Sequence, residues 1–188
     1  MTTEPRTGPP PRPERRNVPS VVVVNTGDGK GKSTAAFGVA LRSLGRDWKV
    51  AVVQFIKSGR WRTGEEAVLR RLGADWWALG DGFSWESDDL EVSRARAEAA
   101  WRHTTGVLAA GGHQLVVLDE ITYPMNWGWI DTAEVVAAIR HRSPAVNVVC
   151  TGRDAPGALC ELADTVTEMR KVKHAYDRGI MARRGIEY

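Results

Sequence analysis

The 188-residue sequence carries 26 Lys and Arg against 23 Asp and Glu, a net charge of +3, and is 43% hydrophobic. It is long enough to bury one ordinary core and too evenly charged to read as a nucleic-acid or membrane-surface protein. Its two cysteines, Cys150 and Cys160, make neither a metal-binding CxxC pair nor a disulfide framework, and no apolar run approaches a membrane span, so a single cytoplasmic α/β unit is expected.

Residues 1–19, MTTEPRTGPPPRPERRNVP, hold six of the nine prolines and four arginines against two glutamates, so most of the net charge falls there. Such a segment buries too little to offset its ordering entropy and is expected to be a flexible tail ahead of a single domain over 20–188. A polyproline docking motif is the alternative use of the prolines.

Four consecutive valines, Val21 to Val24, have no polar face and suit a strand buried on both sides of a parallel sheet. Gly27, Asp28, Gly29, Lys30, Gly31, Lys32, Ser33 and Thr34 follow, running into a predicted helix Lys32–Leu44. Alternate glycines let backbone N–H groups close around an anion, and the helix N-terminus and Lys32 add positive charge. The Ser33 hydroxyl is a candidate magnesium ligand. The usual spacing of a phosphate-binding loop is G-x-x-x-x-G-K-S/T; here Thr26 stands where the first glycine belongs, and the loop is one residue short.

Residues 48–55 (WKVAVVQF) predict a second buried strand, and polar residues past its carboxyl end face the ligand crevice of an open α/β sheet. Lys57 is therefore either a phosphate contact or a solvated lysine. Thr63 with Glu66 makes a capping box for a helix to Leu72 burying Val68, Leu69 and Leu72, and residues 75–79 suit a third strand. Residues 80–87 (GDGFSWES) read as a loop whose rings, Phe83 and Trp85, point to one side if extended; on the residues alone, they plug the loop onto the core. A helix capped at Ser87 follows, with Leu90, Ala97, Trp101 and Leu108 as its buried stripe and His103 on the surface.

Residues 114–120 (QLVVLDE) form an apolar run ending in two acids, expected to lie beside the first strand with Asp119 and Glu120 holding magnesium directly or through water. Residues 123–130 (YPMNWGWI) are expected to cover the sheet. Asp131 with Glu134 caps a helix to Arg140 burying Val135, Val136 and Ile139. A strand over 145–150 then leads to Arg153, either a phosphate contact or the partner of Asp154 or Glu161. A short helix over 155–163 and a last strand over 164–169 complete the order.

These residues resemble a known family, the phosphate-loop ATP:corrinoid adenosyltransferases that act on cob(I)alamin or cob(I)yrinic acid a,c-diamide. The resemblance runs from about Val21 to the C-terminus through GDGKGKS, QFIKS at 54–58, GFSWE at 82–86, LVVLDEI at 115–121, TGR at 151–153 and KHAYDRGIMARRGIEY at 173–188. The shortened loop is the form this family uses, although its usual Asn is Asp28 here and its usual Thr is Ser33. The resemblance implies a RecA-like fold with a mostly parallel central sheet flanked by helices. It also implies transfer of the 5′-deoxyadenosyl group of ATP to the Co(I) centre of a corrinoid with release of triphosphate. ATP and Mg2+ are the implied co-substrate and cofactor, a flavin-dependent electron donor the implied partner, and a homodimer the implied assembly. Phe83 and Trp85 would occupy the lower face of the corrinoid and leave cobalt four-coordinate, easing its reduction. Two other readings share parts of the pattern. A phosphoryl-transfer enzyme or ATPase would use the same loop and acids but has no use for an exposed Phe-x-Trp loop. A RecA-like core stacking single-stranded nucleic acid on tryptophans is disfavoured by the near-neutral charge.

Overall fold

The valine run becomes β1 (Val22–Thr26), first strand of a six-stranded sheet in the computed structural model, which describes residues 14–58, 63–80, 82 and 90–187. Phe83, Trp85 and the cap at Ser87 lie outside the described residues, as do the first thirteen residues of the expected tail. In chain order the elements continue as α1 (Lys32–Leu44), β2 (Val50–Gln54), α2 (Gly64–Arg71), β3 (Asp75–Ala78), α3 (Leu90–Ala110) and β4 (Leu115–Asp119). Then come α4 (Thr122–Asn126), α5 (Thr132–Arg140), β5 (Asn147–Thr151), α6 (Gly157–Leu162) and β6 (Thr165–Glu168), with a short 3-10 turn at Tyr176–Arg178.

The strand order is β3-β2-β4-β5-β1-β6 and every pairing is parallel, the α/β architecture of a RecA-like phosphate-loop fold. One placement differs from expectation: the acidic strand β4 does not lie beside β1. β5 stands between them, its Val148 in register with Val22 on one side and Val116 on the other. An apolar strand buried on both faces is free to pair on both edges, whereas β6, exposed along its whole length, takes the edge.

The period-2 alternation of the central strands divides the core into two layers. Val22, Val24, Val53, Val116, Leu118 and Val148 meet Ala97, Trp101 and Leu108 of α3, Val135 and Ile139 of α5, and Leu159 of α6. Val50, Val52, Leu115, Val117 and Val149 point the other way, against Ala36, Phe37 and Ala40 of α1 and Leu69 of α2. Two alanines on the buried stripe of α1 let this helix sit close to the sheet, directly behind the loop that precedes it.

Several face assignments shift. Leu90 is 59% exposed; the buried stripe of α3 starts one turn later, at Ser93, and runs through Ala97, Ala100, Trp101, Thr104 and Leu108. In α2 only Leu69 of the expected trio is buried, because Glu66 takes the other inward position. Its carboxylate accepts from Arg70 Nε at 2.9 Å, and Arg70 in turn donates to the Trp76 carbonyl at 2.8 Å. Thr63 caps α2 through Glu66 N–H, at 3.3 Å, as expected. Asp131 caps α5, but Glu134 closes no box; it accepts instead from Trp101 Nε1 at 2.7 Å, and Val136 is only half-buried. The aromatic stretch after β4 covers the sheet in part: Met125 and Ile130 enter the core, while Trp127 stays exposed, packed against Tyr123 and Trp129.

Candidate nucleotide and metal site

Because all six strands are parallel, their carboxyl ends share one edge, and the side chains singled out there come from the turns leaving β1, β2, β4 and β5. β1 delivers the glycine loop. Gly27 and Gly31 take positive φ, +92° and +106°, as a turn around an anion requires. Gly29 is needed for a different reason. Its N–H donates to the Met169 carbonyl at 2.6 Å, and a Cβ at Gly29 would lie 2.7 Å from that oxygen. One donor of the loop is thus turned away from any phosphate and ties the loop to the residue after β6. Met169 N–H completes the tie by donating to the Thr26 carbonyl at 2.8 Å.

Lys32 Nζ donates to the carbonyls of Gly27 and Gly29, both at 2.6 Å, so the ammonium is folded back across the loop. Burial lowers its pKa, helped by the charge of Arg153, while Asp28 and Glu120 act in the opposite direction. Those interactions place Lys32 in the joint field of both sequence-predicted clusters, the loop and the acids. Ser33 and Thr34 open α1, with Ser33 half-buried and Thr34 exposed. The Asp28 carboxylate accepts from Lys171 N–H at 3.0 Å, which holds its pKa below the usual value and keeps it charged. Lys30 is exposed and ion-paired with Glu187.

At the end of β4 the two acids are handled differently. Asp119 is fully buried, with Oδ1 accepting from Thr151 Oγ1 at 2.8 Å and Oδ2 from Gln54 Nε2 at 2.9 Å; Lys57 Nζ lies 4.0 Å from Oδ2. Gln54 is oriented by Trp76, whose Nε1 donates to Gln54 Oε1 at 3.1 Å. Glu120 adopts a positive φ of 64° and its N–H donates to Thr151 Oγ1 at 2.9 Å. This left-handed turn, costly for a residue with a Cβ, re-aims the chain at the strand end. Glu120 Oε2 is sealed from solvent without a hydrogen-bond partner. Burial, reinforced by the Asp119 charge, pushes the Glu120 pKa up to about 7.

An orphaned, buried carboxylate oxygen beside a second acid is what a hard divalent cation satisfies. Among the described residues no group of three His, Cys, Asp or Glu side chains converges. The carboxylate oxygens at this strand end are donors of the kind that a hard cation such as Mg2+ takes together with waters. Arg153 is exposed and makes no ion pair with Asp154 or Glu161; its backbone carbonyl is fixed by Thr122 Oγ1 at 2.6 Å. Its charge acts on Lys32, Glu120 and Tyr123 alike, lowering the pKa of each.

Gln54, Thr151 and Met169, none of them singled out in the sequence as a site residue, hold the loop and acids in place. The first two carry a legible signal, a polar residue ending an apolar strand. Met169 carries none, because its part is played by backbone atoms.

Comparison with known proteins bears on the whole chain. A family model described as ATP:corrinoid adenosyltransferase BtuR/CobO/CobP matches residues 19–188. The chain is similar to a corrinoid adenosyltransferase of Pseudomonas aeruginosa, 45% identical over 177 residues that cover 93% of this chain and 87% of that one. It is similar also to corrinoid adenosyltransferases of Escherichia coli and Salmonella typhimurium, each 42% identical over 168 residues, 89% of this chain and 85% of theirs.

Proposed function

Because this chain belongs to the ATP:corrinoid adenosyltransferase family, we propose that its loop grips the triphosphate of ATP as a leaving group rather than as a phosphoryl donor. The enzyme transfers the adenosyl group of ATP to a corrinoid. In the proposed step the electron pair of Co(I) forms a bond to C5′ of ATP while the C5′–O bond breaks. Its electrons leave on the triphosphate, and cobalt ends as the alkylated Co(III) product.

The chemistry asks the protein for two things: neutralisation of the departing oxyanion, and an in-line approach of cobalt to C5′. Residues 27–34 supply the first through backbone N–H groups, the α1 N-terminus and Lys32, whose ammonium exchanges two loop carbonyls for phosphate oxygens when nucleotide enters. Lys57 and Arg153 add charge from the neighbouring turns. Ser33 and Glu120 would hold Mg2+, which when bound offsets triphosphate charge. Asp119, with both oxygens already engaged, positions the strand end and would act on the cation through water rather than directly. The resemblance assigns Phe83 and Trp85 to the lower face of the corrinoid, where the rings displace an axial ligand and exclude water from the reduced metal. The proposal also includes a homodimer, a flavin-dependent electron donor and a cytoplasmic setting, each resting on the resemblance; no helix among the described residues is long and apolar enough to cross a membrane.

The observation that carries this reading is similarity to corrinoid adenosyltransferases over about nine-tenths of the chain. The test is anaerobic incubation with MgATP and chemically reduced cobalamin, following the visible spectrum and the phosphate product together. A light-sensitive alkylcobalamin with intact triphosphate is the expected result. Orthophosphate without alkylation would instead favour a phosphate-loop ATPase.

A further inference from the structure

Between the carboxyl end of β3 and the flank of α3 lies a cleft of about 630 Å³, within the range of small-molecule pockets. Trp77, Leu79 and Ala99 give it a mainly apolar lining, and Arg96 and His103 of α3, both exposed, supply polar groups. His103 meets Trp77 edge to face, with ring centroids 4.6 Å apart, so the indole is held as a wall of the cleft. None of these side chains has a part in gripping the nucleotide or the metal.

Backbone contacts fix the cleft to the turn that carries Lys57. Leu79 N–H donates to the Gln54 carbonyl at 3.1 Å and Gly82 N–H to the Ile56 carbonyl at 2.9 Å, while Ser58 and Leu79 form an antiparallel bridge. Gly80 lies so close to Ile56 that a Cβ there would overlap its carbonyl. The root of the loop that carries Phe83 and Trp85 is therefore held at one end of the cleft. In the sheet order β3 stands four strands from β1, and at about 4.8 Å per strand about 19 Å separates them. A triphosphate at the glycine loop and a ligand in this cleft thus occupy opposite flanks of the crevice, and the cleft falls to the second substrate.

We infer that this cleft receives the nucleotide tail of a complete corrinoid after its base has left cobalt, with the aromatic base against Trp77 and the phosphodiester beside Arg96 and His103. When the cobalt–nitrogen bond breaks, the base keeps its lone pair and must vacate the lower face assigned to Phe83 and Trp85. Its tether holds it at high effective concentration near the metal, so it returns unless something else binds it. A cleft that is apolar within, cationic beside it and rooted in the same loop competes with that return. The assignment rests on corrinoid alkylation as the reaction, and it makes the chain selective for corrinoids that carry a tail over those that do not. An adenine nucleotide shares the chemistry of a base and a phosphate, and is the other source of such a ligand.

The test compares cobalamin with cobinamide, which has the same ring and no nucleotide tail, on the full chain loaded with MgATP under anaerobic conditions. Binding of the Co(II) forms is followed by the visible spectrum, and transfer to the chemically reduced forms by the alkylated product. Ala99→Phe, which fills the cleft from an exposed position on α3, should weaken cob(II)alamin binding by about tenfold and leave cob(II)inamide as in the parent. Arg96→Gln should weaken cob(II)alamin by about threefold, whereas Arg102→Gln, with the same loss of charge on the same helix outside the cleft, should bind as the parent does. Weakening of both corrinoids alike by Ala99→Phe, or of neither, would overturn the assignment. A raised KM for ATP in Ala99→Phe, measured with reduced cobinamide, would give the cleft to the adenine base and overturn it also. Tail-selective weakening without alkylation by the parent would leave the cleft standing and remove the transfer reaction; alkylation by the parent without tail-selective weakening would remove the cleft alone.

Discussion

Replacing Thr151 with valine would test whether the polar network under the strand ends holds the acids where they act. The two side chains have nearly the same shape, so the change removes one hydroxyl and little else. That hydroxyl donates at 2.8 Å to the fully buried Asp119 carboxylate and accepts at 2.9 Å from the Glu120 N–H. A hydrogen bond to a buried charged group contributes about 1.5–3 kcal/mol, and the stranded N–H costs about 1 kcal/mol more. Because both bonds share one atom, their losses overlap, and about 3 kcal/mol is expected in total. For a chain of this size that lowers Tm by about 6–12 °C. Thermal unfolding followed by circular dichroism, with Thr151→Ser alongside, provides the assay. Serine keeps the hydroxyl and should restore most of the loss, both in Tm and in the kcat that depends on Glu120. If Thr151→Val unfolds within a degree or two of the parent, or if serine and valine behave alike, the network does not support the site.

Other expectations follow from the same geometry. Glu120 has its pKa raised from 4.5 to about 7, so the unfolded chain ionises first as pH rises and the metal-free fold loses stability between these values. Glu120→Gln should remove that penalty, unfolding in urea with about 3 kcal/mol more stability than the parent at pH 8 and about equal stability at pH 4, without added metal. Equal urea midpoints at pH 8 would contradict it, and adenosyl transfer by this variant should be largely lost. Gly29→Ala drives a Cβ to 2.7 Å from the Met169 carbonyl and should destabilise by about 1–3 kcal/mol while raising the KM for ATP; an unaltered KM would show that the tie to β6 does not shape the loop. Phe83→Ala with Trp85→Ala should fold and bind ATP normally, alkylate chemically reduced cobalamin, and fail when the reductant is weak; unchanged turnover with the weak reductant would return these rings to the core.

The parts of the fold that were legible in the sequence are those fixed by local chemistry. The helix from Lys32 to Leu44 has the bounds that spacing predicts, and the run of valines becomes a strand shifted along the chain, Val22–Thr26, with Val21 left exposed ahead of it, because an apolar run and a positive-φ loop leave few alternatives in type. Strand order was not legible: β5 enters between β1 and β4 through pairing between strands far apart in sequence, and an apolar strand carries no mark of its neighbours. Two stripe assignments erred where a helix meets its layer with fewer turns than it has, and Val68, inside α2, erred because Glu66 takes the inward position. Leu90 and Leu72 fit the period but stand at helix ends in solvent. At the site, the acids could be read from LVVLDE, yet their different states could not. Whether a carboxylate is satisfied, like Asp119, or orphaned, like Glu120, depends on Gln54 and Thr151 reaching in from adjacent strands.

The tie between Gly29 and Met169 sets the opening of the phosphate loop against the opening of one edge strand. β6 is exposed along its length and paired on one side only, the kind of element that detaches at a free energy well below that of global unfolding. A loop anchored there relaxes whenever that edge frays, while the central strands stay protected. Nucleotide bound to the loop must then slow amide exchange in β6, although it touches none of the strand, because mass action on the closed state is shared by everything that closes with it. The occupancy of the site is thereby recorded at the least protected margin of the sheet.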